Sequence, residues 1–414
     1  MDFLRRVFKG DKVIWVVYMC LCIISIIEVF SAASTLTYKT GDHWAPISQH
    51  IAFLAIGTFI LWVISWIPYQ IFRLAPILLI PVSLILLAYL TIKGVVVNGA
   101  ARWIEIFGFA FQPSELAKMG VVIGTALCLS EMQEEQSANR KAMRYILYLS
   151  LPVCFLIFRE NGSTALLLLS VVMLMMFIGR VPMKQLFKPI GITLALVIVF
   201  LSVPANMLTS ISGRLPTMQS RILNHSENKK YITPEEYDID KNAQVAHANI
   251  AIASSHIIGK MPGNSVERDF LSQAFSDFIY AIIIEELGLI GGVFVVFLYM
   301  VLLIRVLRIA RKCNSDFPRL LIIGVALIIV TQAMLNMAVA VGICPVTGQP
   351  LPFISKGGTS TLINCIYIGI ILSVSRCIKE QEEKRAAREA LVAEAANGEP
   401  EETQEKENME ERGE

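Results

Sequence analysis

The stretch DFIYAIIIEELGLIGGVFVVFLYMVLLI, residues 277–304, decides the fold class of this protein. After its first residue the stretch is apolar throughout, apart from two adjacent carboxylates, Glu285 and Glu286. A helix needs about 20 apolar residues to cross the hydrocarbon core of a bilayer, and this stretch is longer than that. It therefore predicts a membrane-spanning helix with Asp277 at its start.

The composition of the whole chain agrees with a membrane protein. Of its 414 residues, 55% are hydrophobic and only 17% are charged, whereas an average soluble domain has roughly 25% charged residues. So little polar surface argues against a soluble globular enzyme and against a nucleic-acid-binding protein. The eight cysteines are scattered without a metal-binding spacing, and the five histidines form no ligand cluster. We therefore predict no protein-bound metal site, and we interpret the histidines as surface or interface residues.

Apolar runs of suitable length recur along the chain. Ten of them lie at 13–33, 48–68, 73–93, 113–130, 144–158, 163–179, 189–208, 277–304, 319–343 and 359–377. Only a charged turn at 159–162 separates the fifth run from the sixth, so these two could form one broken element instead of two spans. The pattern predicts an all-α, polytopic integral membrane protein with about ten transmembrane helices.

The distribution of Lys and Arg predicts the orientation of these helices. Both residue types concentrate in the segments that a ten-helix topology places on the side of the N-terminus, and short cytoplasmic segments are enriched in Lys and Arg. Both termini are therefore predicted to be cytoplasmic. The chain then divides into a cytoplasmic N-terminus (1–12), a transmembrane domain (13–377) and a charged cytoplasmic tail (378–414).

Two segments outside the spans have a distinct character. The predicted extracytoplasmic loop 209–276, before the eighth helix, is polar at first, and its small apolar residues at 243–258 predict a helix on or dipping into the membrane. The tail holds 13 Glu against 6 Lys and Arg. It is predicted to be a solvated helix over 378–397 and disordered from 398 to the end.

Charged side chains near membrane depth are costly, which makes each of them a candidate functional residue. In NGAARWI (98–104), Arg102 could hold a phosphate, or with Trp103 it could anchor the chain at the membrane interface. In QPSELAK (112–118), Glu115 and Lys118 share one helix face and predict either a buried structural ion pair or a functional pair.

Two further candidates lie late in the sequence. Asp277 could be a helix-start carboxylate stabilised by the helix dipole, or a general base in a partly desolvated cleft. The segment PVTGQPLPFISKGGTS (345–360) is too rich in proline and glycine to be a regular helix, so it must be buried in protein or line a wet cavity. Lys356 in this segment could face an anion or extend to water. One of Glu285 and Glu286 is expected to pair with a lysine or arginine of another helix.

The motifs NGAARWI, QPSELAK, SDFIYAIIIEELGLIG and PVTGQPLPFISKGGTS resemble those of the SEDS family (shape, elongation, division and sporulation: FtsW, RodA and SpoVE). The resemblance runs from about residue 12 to residue 378 in the expected order. It implies a ten-helix fold in the bacterial cytoplasmic (inner) membrane, with an active site on the extracytoplasmic side. It also implies peptidoglycan glycosyl transfer from lipid II, most like the division-type branch of the family.

The resemblance also implies partners and residue roles. The partners are lipid II, a class B penicillin-binding transpeptidase, other divisome membrane proteins and membrane lipids, with no nucleic acid. The family's catalytic aspartate matches Asp277, its arginine–tryptophan pair matches Arg102 and Trp103, and its buried ion pair matches Glu115 and Lys118. Ser355 and Lys356 are expected to bind substrate, with Lys356 standing where the family usually has tyrosine. No cofactor is certain, and a divalent cation, Mg²⁺ or Mn²⁺, is the candidate.

Three alternatives stay open at this point. The intramembrane charges also fit a lipid II flippase, although the charged motifs cluster at the predicted outer ends of the helices. The chain could be a structural division scaffold, with catalysis elsewhere. It could also be an elongation-type polymerase instead of a division-type one.

Overall fold

The architecture is that of a computed structural model, which describes a large part of the chain. The described residues are 9–32, 45–93, 95–97, 100–106, 109–134, 138, 141–204, 206–207, 215–227, 243–271 and 274–397. The tail segment predicted to be disordered, 398–414, lies outside them, as does most of 209–242.

The described residues are predominantly helical. The α-helices are α1 (Lys12–Ala32), α2 (Ala45–Trp66), α3 (Ala75–Lys93), α4 (Pro113–Glu131), α5 (Ala142–Glu160), α6 (Gly162–Ile178), α7 (Met183–Ser202), α8 (Leu215–Glu227), α9 (Ala243–Ala253), α10 (Ile279–Arg311), α11 (Asp316–Ala340) and α12 (Gly358–Asn397). Short 3₁₀ helices cover Tyr69–Arg73 and Glu267–Asp269.

Many of these helices have the length and composition of membrane spans. In the described part of the chain, seven helices are long and apolar enough to cross a bilayer: α1, α2, α5, α7, α10, α11 and α12. Two shorter apolar helices lie at Ala75–Leu90 and Gly162–Ile178, and α4 carries the predicted ion pair. The polytopic, helical membrane architecture is thereby confirmed, and the full count of ten spans stays a prediction.

The fifth and sixth apolar runs form two separate helices. Asn161 lies between α5 and α6, and its side-chain oxygen accepts hydrogen bonds from the backbone N–H groups of Ser163 and Thr164. This is the pattern of an N-cap, which satisfies amide donors that have no partner within the helix. The cap begins a new helix, so the two runs are not one broken element.

A small antiparallel sheet lies between α3 and α4, where the sequence predicted no strand. The strands are β1 (Val95–Val97), β2 (Ala100–Ile106) and β3 (Phe109–Phe111), with Val95 opposite Trp103 and Ile104 opposite Phe111. The β-branched and aromatic residues of this segment favour strands. Each strand is too short to stand out as an apolar run. The arginine–tryptophan motif is thus presented on β2, and β3 contacts α12.

The packing places α11 at the centre of the bundle. It contacts α10, α4 and α6, while α12 packs along α2, and α10 also contacts α1. By contrast, α7 is the least buried of the seven long apolar helices. Helix α11 thereby contacts both α4, which carries Glu115 and Lys118, and α10, which follows Asp277.

Helix α10 is not the straight span that the sequence predicted. At Gly288 its backbone leaves the helical region, with φ +74° and ψ −176°. Residues 256–268, called the docked segment below, lie against this break: the N–H groups of Lys260 and Met261 donate to the carbonyls of Glu285 and Glu286 at 2.9 and 2.8 Å. The docked segment thus supplies backbone hydrogen bonds where the helix ladder is interrupted.

Both carboxylates of α10 hold the docked segment, whereas the sequence predicted that one of them pairs with a lysine or arginine of another helix. Arg268 does lie in a short 3₁₀ helix, Glu267–Asp269, but it is a helix of the docked segment. Glu285 is fully buried and lies 2.6 Å from Lys260 Nζ. Glu286, also fully buried, lies 3.9 Å from Arg268 Nη1 and accepts a hydrogen bond from Ser31 of α1. Both cations come from the predicted extracytoplasmic loop, so these ion pairs tie that loop to α10.

The close approach of the docked segment to α10 requires two glycines. A Cβ at Gly288 would overlap the carbonyl oxygen of Ile257, and a Cβ at Gly259 would overlap the amide nitrogen of Gly288. Gly259 also has a positive φ, +81°.

We expect Gly259→Ala and Gly288→Ala to lower the yield of folded protein severely. The backbone would have to move to make room for the new Cβ, and this cost adds to the roughly 1–3 kcal/mol of strain from the positive φ. Size-exclusion profiles and thermal unfolding midpoints in detergent measure this.

Gly263 offers a matched control for these two variants. Its φ is +89°, but a Cβ there would have no atom within 4 Å. Gly263→Ala should therefore carry only the cost of the left-handed conformation. If all three variants unfolded at the same temperature, the backbone contact at Gly288 would contribute nothing to stability.

Candidate functional site

Asp277 lies just before the start of α10, in a segment where three consecutive backbone carbonyls accept hydrogen bonds from other parts of the chain. The carbonyl of Phe275 accepts a hydrogen bond from the Lys356 N–H at 2.9 Å. The carbonyl of Ser276 accepts one from Ser355 Oγ at 2.6 Å, and the carbonyl of Asp277 accepts one from Asn336 Nδ2 at 2.9 Å. Asp277 is half-buried, so a rigidly placed carboxylate retains access to solvent.

Ser276 also orients the carboxylate itself. Its Oγ donates to Asp277 Oδ1 at 3.1 Å. Residues 278–286, which follow directly, are almost all buried. The carboxylate thus lies at the boundary between a polar surface and the apolar interior of the bundle, which is the setting that the sequence predicted for it.

The segment Pro345–Gly357, called the proline loop below, forms one wall of this site. It is irregular, as predicted, and much of it is buried. Phe353 has a φ of +67°, and its ring packs edge-on against Tyr18 of α1 at 5.6 Å between centroids. Tyr299 of α10 donates a hydrogen bond to the Pro352 carbonyl. Side chains from two helices thus hold the loop in a shape that it could not keep alone.

Ser355 and Lys356 lie at the end of the proline loop, next to Asp277. Ser355 is buried, and its Oγ accepts a hydrogen bond from Leu351 N as well as donating to Ser276. Lys356 is half-buried, with its Nζ 5.8 Å from the centre of the Phe275 ring. This burial lowers the pKa of the Lys356 ammonium from its ordinary value, because desolvation disfavours the charged form.

Behind the proline loop lies the ion pair that the sequence predicted. Lys118 Nζ and Glu115 Oε1 are 2.7 Å apart, and both side chains are almost fully buried. Lys118 Nζ also donates to Gln332 Oε1 at 2.9 Å, and Gln332 Nε2 donates to the Pro350 carbonyl at 3.0 Å. The pair is therefore connected through Gln332 to the proline loop.

A second carboxamide bridge connects the proline loop to α6 and α11. Gln349 Nε2 donates to Thr164 Oγ1 at 2.7 Å, and the Gln349 carbonyl accepts from Asn336 Nδ2 at 2.8 Å. The same Asn336 amide group donates to the Asp277 carbonyl. Asn336 therefore joins the proline loop to the candidate base.

Arg102 and Trp103 are both placed on β2, on the hairpin that contacts α12. Trp103 is half-buried, whereas the side chain of Arg102 lies outside the described part of the structure. Their substrate-binding role stays a prediction.

Sequence reasoning missed the neutral side chains that build the site. Gln332, Asn336 and Gln349 are nearly inaccessible, yet they carry no charge to mark them within apolar runs. A usable signal was the i, i+4 spacing of Gln332 and Asn336, which places two amides on one face of α11. The interpretation of His50 as a surface or interface residue was wrong, because it is 3% exposed.

Comparison with known proteins gives a consistent result. Residues 11–380 match the FTSW_RODA_SPOVE family, described as "Cell cycle protein". The chain is 30% identical to a protein of Enterococcus hirae called "Probable peptidoglycan glycosyltransferase FtsW", over 90% of this chain and 95% of that one. It is 29% identical to a protein of the same name in Geobacter metallireducens, over 91% of this chain and 97% of that one.

The fold also matches a solved structure. That structure is described as "Structural coordination of polymerization and crosslinking by a peptidoglycan synthase complex". The TM-score is 0.71 at 23% sequence identity, and the match covers 89% of this chain and 98% of the other. At this level of identity the match bears on the fold alone.

Proposed function

The chain belongs to the FtsW/RodA/SpoVE family of cell cycle proteins, and from this premise we propose that it is a peptidoglycan glycosyltransferase that polymerises lipid II, with Asp277 as general base. The observation that carries the proposal is the placement of Asp277. Three consecutive backbone carbonyls at 275–277 are held by Lys356, Ser355 and Asn336. A carboxylate on a backbone segment held this firmly, against the loop that carries the half-buried Lys356, suits proton abstraction near an anionic leaving group.

The chemical step follows from the groups at this site. A hydroxyl oxygen of the acceptor sugar attacks the anomeric carbon of the donor, and its proton passes to the Asp277 carboxylate. The bond from the anomeric carbon to the lipid-linked pyrophosphate breaks, and the pyrophosphate leaves with the bonding electrons. Because pyrophosphate departs without protonation when its charge is stabilised, one carboxylate suffices. The paired carboxylates of glycoside hydrolases serve a different leaving group.

Cations near Asp277 would stabilise the departing pyrophosphate. Lys356 belongs to the loop that holds the carbonyls of residues 275 and 276, and an anion beside Lys356 would offset the cost of desolvating its ammonium. Arg102 is the second proposed contact and Trp103 a further proposed substrate-binding group. Ser355, expected to bind substrate, is buried with its hydroxyl hydrogen-bonded to Ser276 and Leu351, so it holds the segment beside Asp277 instead. Mg²⁺ or Mn²⁺ could accompany the pyrophosphate, since such ions bind through substrate phosphates and one or two carboxylates; no step above depends on one.

The chain is a multi-pass membrane protein, and we place its active site on the extracytoplasmic side of the bacterial inner membrane. The predicted outer ends of α6, α10 and α11 meet the proline loop through Thr164, the carbonyls of residues 275 and 276, and Asn336, which supports this placement. We further propose a class B penicillin-binding transpeptidase as partner, together with other divisome proteins. Membership of the FtsW/RodA/SpoVE family is what supports an assembly of this kind.

The decisive experiment is polymerisation of lipid II by the purified full-length chain in a bilayer, alone and with its transpeptidase. Glycan strands that lengthen with time are expected, and they should require the chain itself. Transfer of labelled lipid II across the bilayer without polymer would support a flippase instead. Neither polymer nor transfer, with a correctly folded chain and partner, would favour a scaffold role.

The proposed contact of Lys356 leads to a prediction about donor use. Lys356→Met should weaken the use of lipid II by about tenfold to a hundredfold, because a half-buried contact between a cation and an anion is worth about 1–3 kcal/mol. Lys356→Arg should keep most of the activity, because it keeps the charge. The measurement is the initial polymerisation rate as a function of lipid II concentration.

A control separates this effect from general charge loss. Lys312 is exposed and pairs with Glu382 on the predicted cytoplasmic side, so Lys312→Met should leave the rate unchanged. Equal rates for Lys356→Met and the parent at every concentration would mean that Lys356 only extends to water.

A further inference from the structure

A buried polar pair connects α1 to α2 within the membrane-spanning part of the bundle. Ser25 is fully buried and His50 is 3% exposed. Ser25 Oγ and His50 Nε2 are 2.8 Å apart. Polar side chains at this depth are expensive to bury, and those that persist tend to mark functional sites.

The direction of the hydrogen bonds in this pair is determined by a third group. Ser25 Oγ donates to the carbonyl of Ile354 at 2.8 Å. A hydroxyl has one proton, so Ser25 accepts from the imidazole and His50 Nε2 carries the donated hydrogen. The chain of donors therefore runs from His50 through Ser25 to the proline loop.

The carbonyl that accepts this hydrogen bond, that of Ile354, lies next to the two loop residues that contact the segment before α10. Ile354 immediately precedes Ser355 and Lys356, which donate to the carbonyls of Ser276 and Phe275. A displacement of the Ile354 peptide would thus move the cation proposed to bind the leaving group.

We propose that Ser25 and His50 are positioning residues that hold the Ile354 peptide and thereby aim Lys356 at the pyrophosphate of the donor. The inference rests on the proposed function and adds to it two residues that do not themselves touch substrate. They act through the geometry of the loop. Substrate binding at Lys356 should therefore suffer more than the chemistry at Asp277.

The test uses the full-length chain in a bilayer with its transpeptidase, and measures polymerisation rate against lipid II concentration. The disruptive variants are Ser25→Ala and His50→Leu. The restoring variant is His50→Gln, whose amide N–H can replace that of Nε2. Ser83→Ala is the control, because Ser83 is equally buried but its Oγ donates to a carbonyl of its own helix.

The disruptive variants should raise the lipid II concentration at half-maximal rate about two- to tenfold, the range that one net hydrogen bond produces, while the maximal rate stays within about twofold. His50→Gln and Ser83→Ala should match the parent. If Ser25→Ala fails to fold, the comparison of His50→Leu with His50→Gln decides alone. A purely structural role would instead lower the unfolding temperature and leave the half-maximal concentration unchanged.

A double-mutant cycle connects the effect to Lys356. In a Lys356→Met background, His50→Leu should cause no further rise in the half-maximal concentration. A full additional rise in that background would overturn the inference, as would a His50→Gln variant as impaired as His50→Leu. An unchanged Lys356→Met single variant would instead contradict the proposed leaving-group contact, so the two failures are distinguishable.

Discussion

Asp277→Asn should reduce lipid II polymerisation by at least about 10²-fold, and Asp277→Ala should do the same, while both variants insert and fold normally. An amide cannot take the proton of the acceptor hydroxyl, and general-base catalysis contributes about 10²–10⁴-fold. The side chains of Asn and Asp are nearly isosteric. The hydrogen bonds that hold the 275–277 segment involve its backbone carbonyls, so the Asn variant should retain them. The measurement is the initial rate of glycan synthesis by each purified variant at saturating lipid II.

Asp269 offers a matched control for this prediction. It is a carboxylate eight residues earlier, in the predicted extracytoplasmic loop. Its side chain is 57% exposed, and its Oδ1 lies 3.8 Å from Arg268 Nε. Asp269→Asn should leave the rate within about twofold of the parent, because an exposed pair of this kind contributes little. Near-normal polymer from Asp277→Asn would remove the general base from the mechanism.

The membrane-spanning helices were predictable because burial in lipid imposes a simple rule on the sequence. A segment that crosses hydrocarbon must satisfy its backbone internally and present apolar side chains, and long apolar runs record both requirements. The helix α12 was likewise predictable beyond residue 378 from its Glu, Lys, Arg and Ala content. The three-stranded sheet at 95–111 was not predictable. A strand is recognised in a sequence by alternating apolar and polar residues, and these strands are too short to show that alternation.

The break in α10 shows where sequence periodicity reaches its limit. Residues 277–304 are apolar on both sides of Gly288 and hold two further glycines, Gly291 and Gly292. A glycine within an apolar run is compatible with a straight helix. The break depends on the docked segment, whose Gly259 meets Gly288 from about 30 residues earlier in the chain. The residues that flank either glycine in the sequence do not indicate that the two come into contact.

The candidate site was predictable to the extent that its residues are charged. Asp277, Lys356 and the Glu115–Lys118 pair stand out because ionised groups are rare in apolar surroundings, and the structure places the pair as expected. Gln332 and Asn336 do not stand out, yet they decide how the charged groups are arranged. Their hydrogen-bond partners are distant in the sequence and become neighbours only in the folded chain, so a single sequence gives little information about them.

The buried pair on α4 should be required for folding before it is required for catalysis. Glu115→Gln and Lys118→Met should each lower stability by about 3–5 kcal/mol, because removing one partner leaves the other charge buried without compensation. The yield of monodisperse protein and the thermal unfolding midpoint in detergent measure this loss. Glu389→Gln is the control: Glu389 pairs with Arg385 on an exposed face of α12, and its neutralisation should cost less than about 1 kcal/mol.

The charge-swapped variant, Glu115→Lys combined with Lys118→Glu, separates folding from positioning. It restores a buried pair, so folded yield should recover in part. It also places a carboxylate opposite Gln332 Oε1, which now accepts from Lys118 while Gln332 Nε2 holds the Pro350 carbonyl. The amide must turn to donate to the new carboxylate, and its oxygen then faces that carbonyl. Polymerisation activity should therefore stay low even in well-folded protein. If the charge-swapped variant recovered both folded yield and activity, the pair would be purely structural. Single variants that fold normally but are inactive would instead indicate a direct contact with substrate.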